Sequence, residues 1–179
     1  MARFVVVLPL VPLAAGDEFT VADWPLHVTL VEPFQTGLGG DDVARLLGGV
    51  DGIAHGARVI HAAAGEEDMF GRRRDVPVTL VRDGGELAAL RARTIDALGA
   101  AGVDVRSRLD FRPHVTRKHH GRLRPGERVR LDTVALIDMR PSEGAHHRRV
   151  VAAWRLDAAS ARPPATPGTG ETGRKPTPT

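Results

Sequence analysis

The tripeptide His-Val-Thr occurs twice in this 179-residue chain, at His27-Val28-Thr29 and at His114-Val115-Thr116, 87 positions apart. The first copy lies in PLHVTL and the second in RPHVTR, so each closely follows a proline and each has the composition of a β-strand. On a strand, residues i and i+2 share a face. His27 and Thr29 therefore point one way, while Leu26, Val28 and Leu30 point into a core. His114 and Thr116 stand in the same relation to Val115. Imidazole titrates near neutrality and serves as acid or base. Two of them meeting across one cleft can flank a phosphorus atom. One removes the proton of an attacking hydroxyl and the other protonates the leaving oxygen. The two threonine hydroxyls can hydrogen-bond the non-bridging oxygens and steady the charge that builds there. Such chemistry needs no metal and no cofactor, and spacing alone assigns neither histidine to acid or base.

Other residues near the motifs are candidates for substrate contact. Lys118 falls on the His114 side if alternation continues past Thr116, which makes it a candidate phosphate ligand. Arg117 faces the core on strict alternation, unless the strand bulges, ends or opens to solvent there. Exposed, it would join Trp24 and Arg72 as a contact to bases or RNA. Trp24 either stacks on a base at the cleft mouth or packs as an anchor for its loop. Arg72-Arg73-Arg74 is either a solvated loop or an arm that grips phosphates. From Arg106 to Arg130 nine Lys and Arg face only Asp110 and Glu127, a basic surface that would attract a polyanion. The doublets His119-His120 and His146-His147 do not suggest a metal site, because neighbours on a strand point to opposite faces.

Composition bounds these readings. With 42 % apolar and 26 % charged residues, the chain has the make-up of one ordinary globular domain. The absence of cysteine excludes a disulfide scaffold, thiol catalysis and Cys-ligated metal centres. No apolar run approaches the roughly 20 residues of a membrane span. Met1 to Gly16 shares features with a secretory signal, but Pro9 and Pro12 interrupt it, and it reads better as a buried first strand over Phe4 to Leu10. A cytoplasmic monomer is expected.

The pattern of apolar residues predicts strands at 25–34, 58–63, 76–81, 111–118, 128–139 and 148–156. It predicts helices at 41–50, capped by the Asp41 carboxylate, and at 85–101. Residues 65–75 are polar and read as a loop. Strands joined by short turns and interrupted by two helices make an α+β domain with a largely antiparallel sheet. The folded part is expected to span residues 1–157. Residues 158–179, rich in Pro, Gly and Thr, are expected to be a disordered tail.

The paired motifs resemble those of the 2H (two-histidine) phosphoesterase superfamily, which includes RNA 2′,3′-cyclic phosphodiesterases and 2′-5′ RNA ligases. The opening RFVVVLPL is similar to that family's first strand, and FRPHVT to its second motif. The resemblance covers residues 2–157 in layout and is sharp at the two motifs. It implies a bilobal, pseudo-two-fold fold with helices outside and a central cleft. It also implies metal-independent cleavage of a phosphodiester, such as a 2′,3′-cyclic phosphate end or a 2′-5′ linkage, on RNA or a nucleotide. His27 and His114 would be catalytic, and Thr29 and Thr116 would hold the phosphate. Arg117 departs from the apolar residue usual after the second threonine, and the stretch from His61 to Val81 matches less well. A module that binds RNA ends or cyclic nucleotides without turnover would use the same cleft.

Overall fold

The computed structural model describes residues 1–49, 53, 56–105, 110–141 and 144–157. The expected tail, His55, Arg106 and Arg108 lie outside the described residues. The elements in chain order are β1 (Ala2–Pro9), β2 (Glu18–Thr20), β3 (His27–Thr36), α1 (Gly40–Gly48), β4 (Ile60–Phe70), β5 (Val76–Arg82), α2 (Glu86–Ala100), β6 (His114–Thr116), β7 (Arg128–Leu131), β8 (Thr133–Asp138) and β9 (His147–Arg155). The nine strands form one sheet in the order β2-β9-β8-β1-β3-β6-β5-β4-β7, and each neighbouring pair is antiparallel. The fold is α+β, as expected.

The seam between the lobes is the contact of β3 with β6. Each strand has its own hairpin-like partner on the outer side, β1 for β3 and β5 for β6. Both motif strands thus lie in the middle of the sheet, next to each other.

Alternation along β1 explains the two faces. Phe4, Val6 and Leu8 enter the main core, which also holds Val28, Leu30, Val115 and the helix residues Val43, Leu47, Leu87, Leu90 and Leu98. Val5 and Val7 enter a smaller cluster on the other face, with Trp24, Ala135, Ile137 and Val150. A strand buried on both sides needs an unbroken apolar run, and Phe4-Val5-Val6-Val7-Leu8 is one. The register sets Val7 beside Thr29 and Pro9 beside His27, so the motif side chains share the face opposite the helices. Between the pairs Val6–Val31 and Val7–Thr29 the register shifts. The extra residue lets Leu30 and Val31 both be fully buried.

Several elements differ from expectation. Residues 65–70, read as loop, continue β4 to Phe70 and pair with β5. Their run Glu66-Glu67-Asp68 is polar because this part of the strand is open to solvent, so it carries no apolar period. The actual turn is residues 71–74, where Gly71 and Arg74 take positive φ of 86° and 53°. The expected strand 128–139 breaks at Asp132, since β7 pairs with β4 while β8 pairs with β1 and β9. The expected strand 111–118 keeps only His114–Thr116. Asp41 is not the cap of α1. Gly39 is, and Asp41 and Asp42 sit in the first turn, where carboxylates favour the helix dipole. The short edge strand β2 has no counterpart in the sequence expectation.

Leu30 is fully buried between the seam and the helices. Leu30→Ala is expected to cost about 2–5 kcal/mol of stability, measured by urea denaturation followed by circular dichroism.

Candidate active site

Val28 and Val115, the middle residues of the two motifs, are direct partners across the seam. They are 0 % and 1 % exposed, and both enter the main core. Antiparallel pairing about this point sets His27 across from Thr116 and Thr29 across from His114, on strands about 4.8 Å apart. A local two-fold axis passes between the valines. The sequence expectation that the two motifs meet is realised here as adjacent strands.

Each imidazole is fixed in the same way. His27 Nδ1 lies 2.7 Å from the Pro25 carbonyl oxygen, and His114 Nδ1 lies 2.7 Å from the Arg112 carbonyl oxygen. A carbonyl only accepts, so both Nδ1 atoms carry the proton and donate it. In the neutral ring Nε2 is then the free lone pair, available to take a proton, and in the cation it is the free donor. The partner is two residues upstream in both motifs. Each ring also rests on an aromatic side chain. Trp24 stacks on His27 with centroids 4.5 Å apart, and Phe70 meets His114 at 4.6 Å in a tilted arrangement.

The surroundings are not symmetric. Lys118 Nζ and the Arg148 guanidinium each lie 5.4 Å from the Trp24 ring centre. Trp24 Nε1 and Arg148 Nε are buried donors that no described residue accepts from. His27 thus sits among donors and cations. Burial lowers its pKa to about 4, the Pro25 hydrogen bond opposes that shift, and the charges of Lys118 and His114 add to it. Burial and Arg148 also lower the pKa of Lys118.

On the His114 side the sheet opens into a cleft of about 550 Å³, lined by Thr29, Glu32, Phe70, Asp110, Phe111 and Arg112 among others. Arg91 of α2 organises this wall. It is 4 % exposed, and its Nη1 donates to the Leu30 carbonyl at 2.7 Å and to Glu32 Oε2 at 2.8 Å. Its Nη2 reaches Glu32 Oε1 at 3.2 Å, and its guanidinium lies 4.7 Å from the Phe111 ring centre. Arg112 spans the Phe70 ring at 4.9 Å and donates to Asp68 at 2.8 Å.

His27, Thr29, His114 and Thr116 come together, all partly exposed on one face. Lys118, two residues past Thr116 and so at the His27 end of the seam, has its ammonium 5.4 Å from the Trp24 ring centre, and the chain then turns through the Lys118–Gly121 bridge. Arg117 is exposed because the strand ends before it, and it lines a smaller cavity with Met69 and Arg122. Trp24 is 9 % exposed and serves as the packed support of His27. Arg72 is exposed at the tip of the β4–β5 turn. Within the basic stretch, Arg112, Arg122 and Arg130 face Asp68, Glu67 and Asp132. His120 Nε2 lies 3.2 Å from the Trp24 carbonyl oxygen, and His119 packs on the His120 ring. Sequence reasoning missed Phe70, Phe111, Glu32, Arg91 and Arg148. Of these only Phe111 had a signal, as a neighbour of the second motif.

An antiparallel sheet that brings two H-x-T strands together at its centre defines a 2H phosphoesterase. The model of the 2′-5′ RNA ligase superfamily matches residues 13–140, well over half of the chain, and the protein belongs to that superfamily. Among solved structures, Escherichia coli LigT in complex with 3′-AMP is similar at 16 % identity and a TM-score of 0.56, covering 87 % of this chain and 98 % of that one. TT0787 of Thermus thermophilus is similar at 18 % identity and a TM-score of 0.56, covering 89 % and 100 %. A structure described only as a phosphoesterase matches at 16 % identity and a TM-score of 0.55, covering 87 % and 99 %. These likenesses concern the fold. No curated protein matches this sequence. Among the described residues, no helix is long and apolar enough to cross a membrane.

The lowered pKa of His27 couples the site to stability. Above its ordinary value of 6.5 neither the folded nor the unfolded chain protonates it. Between 6.5 and about 4 the unfolded chain binds a proton that the folded one refuses. Stability therefore falls as pH falls through that window. Between pH 7 and pH 5 the wild type should lose about 2 kcal/mol more than His27→Gln, read from denaturant midpoints at each pH. Parallel losses in the two proteins would contradict this.

Proposed function

We propose that this 2H phosphoesterase is a metal-independent phosphodiesterase acting on 2′,3′-cyclic phosphate ends or 2′-5′ linkages of RNA or nucleotides in the cytoplasm. The observation that carries the reading is the matched pair of Nδ1–carbonyl hydrogen bonds, which frees Nε2 of both His27 and His114. Membership in a superfamily of RNA ligases and phosphoesterases supports it. So does the nucleotide bound to the similarly folded Escherichia coli LigT, solved with 3′-AMP.

His27 is the general base and His114 the general acid. Burial, with the charge of Lys118 added, keeps His27 neutral, and an anionic phosphate bound beside it raises its proton affinity when substrate arrives. In hydrolysis of a cyclic phosphate, water attacks phosphorus and gives its proton to His27 Nε2. The bond from phosphorus to one ribose oxygen breaks, and His114 delivers a proton from Nε2 to that oxygen. For a 2′-5′ linkage the vicinal 3′ hydroxyl is the nucleophile and the 5′ oxygen leaves, with the same two proton transfers. Thr29 and Thr116 donate to the non-bridging oxygens, and Lys118 balances their charge.

The test is a panel of 2′,3′-cyclic nucleotides, 2′-5′ dinucleotides and cyclic-phosphate-ended RNA, assayed in excess chelator. Wild type should retain its full rate. His27→Ala and His114→Ala should each lower kcat by about 10²–10⁴. Full activity in both variants would remove the reading, and so would loss of wild-type activity on dialysis against chelator.

A further inference from the structure

The cleft beside His114 has a composition that the proton-transfer chemistry does not call on. Its walls include the rings of Phe70 and Phe111. Besides Thr29 and His114, its polar side chains are the carboxylates of Glu32 and Asp110 and the guanidinium of Arg112. Aromatic walls suit a flat ring. A carboxylate offers acceptors only, and a guanidinium donors only.

Glu32 is not a loose surface acid. Arg91 grips both its oxygens from the buried side and at the same time backs the Phe111 ring. One buried arginine therefore holds a wall and an acceptor of the pocket in a fixed relation. The fork uses the facing lone pairs of both oxygens, and each oxygen keeps one further lone pair turned away from the other, so a ligand meets a single Glu32 oxygen. Arg112 is held likewise, with Nη2 on Asp68 and its plane over Phe70, which leaves its other N–H groups free to donate.

The four common bases differ in how they meet such a set. Guanine presents two adjacent donors, N1–H and the N2 amino group, on one edge, and two adjacent acceptors, O6 and N7, on the next. A carboxylate pairs with the first and a guanidinium with the second. Adenine and cytosine present one amino donor beside a ring acceptor, which a carboxylate repels. Uracil presents one N–H between two carbonyl oxygens.

We propose that this pocket is a base-reading subsite selective for guanine, in which one oxygen of Glu32 accepts from both N1–H and N2–H and Arg112 donates to O6 or N7. This rests on the phosphodiesterase reading for its place in catalysis, since the base would sit next to the phosphate held by Thr29 and His114. The pocket then decides which nucleotide carries the scissile phosphate.

The experiment compares kcat/KM for the 2′,3′-cyclic phosphates of guanosine, adenosine, cytidine and uridine. Guanosine should exceed uridine by about 10-fold or more, the worth of a good bidentate base contact. Glu32→Gln should bring that ratio to within about 3-fold, and Arg112→Met should reduce it in the same direction. Melting temperatures identify any loss of folding from disturbing the Arg91 pair, and the ratio within one variant is insensitive to the fraction folded. Equal rates on all four bases in wild type would overturn the proposal. So would a guanine preference unchanged in both variants. If wild type turns over none of the four, the reading of the protein as a cyclic-mononucleotide phosphodiesterase fails. Equilibrium binding of guanosine against uridine 3′-monophosphate then decides the pocket alone: tighter guanosine binding that Glu32→Gln abolishes supports it, and equal binding overturns it.

Discussion

The contact between Val28 and Val115 is the constraint from which the site follows. Two buried valines, each the middle residue of a three-residue motif, pair across the seam of the sheet. Because side chains alternate on a strand, pressing the valines into the helix-side core forces His27, Thr29, His114 and Thr116 onto the opposite face. Hydrophobic burial, which is non-directional, thereby fixes a directional arrangement of four polar groups. A slip of one residue in this register would turn each histidine into the core and both valines out. The core and the chemistry therefore stand or fall together.

On this symmetric frame the protein lays an asymmetric electrostatic field. The rings are held alike, by a carbonyl two residues upstream and by an aromatic support. Their neighbours differ: His27 rests on Trp24, over which Lys118 and Arg148 lie, whereas Glu32, Asp110 and Arg112 line the cleft at His114. Burial, helped by Lys118, lowers the proton affinity of His27 below that of a free imidazole, and such tuning is how one site runs acid and base steps.

Much of this was legible in the sequence, for a clear physical reason. The duplicated tripeptide, the apolar run of β1 and the Leu periodicity of α2 each report local rules of strand and helix. The α+β layout and the four motif residues follow from those rules. What was not legible depends on contacts between distant segments. Phe70 lies in a polar stretch that reads as loop, because a strand open to solvent has no apolar period. Arg91 falls on the Leu87–Leu98 stripe of α2, and the groups that receive its buried charge, the Leu30 carbonyl and Glu32, come from a distant strand. Arg148 and Trp24 meet only through the pairing of β2 with β9. Nothing in the sequence within reach of the break at Asp132 marks the change of partner there.

The account depends most directly on which ring nitrogen carries the proton. Free neutral imidazole in water favours the proton on Nε2, so the reverse is a signature of the carbonyl bonds described above. Long-range ¹⁵N–¹H correlation spectra of the full chain, with His27 and His114 assigned by substitution, report the tautomer of each ring in the neutral state. Both should be protonated on Nδ1, with Nε2 unprotonated and shifting on addition of inorganic phosphate. A spectrum in which either ring carries its proton on Nε2 in the neutral state would contradict the central claim.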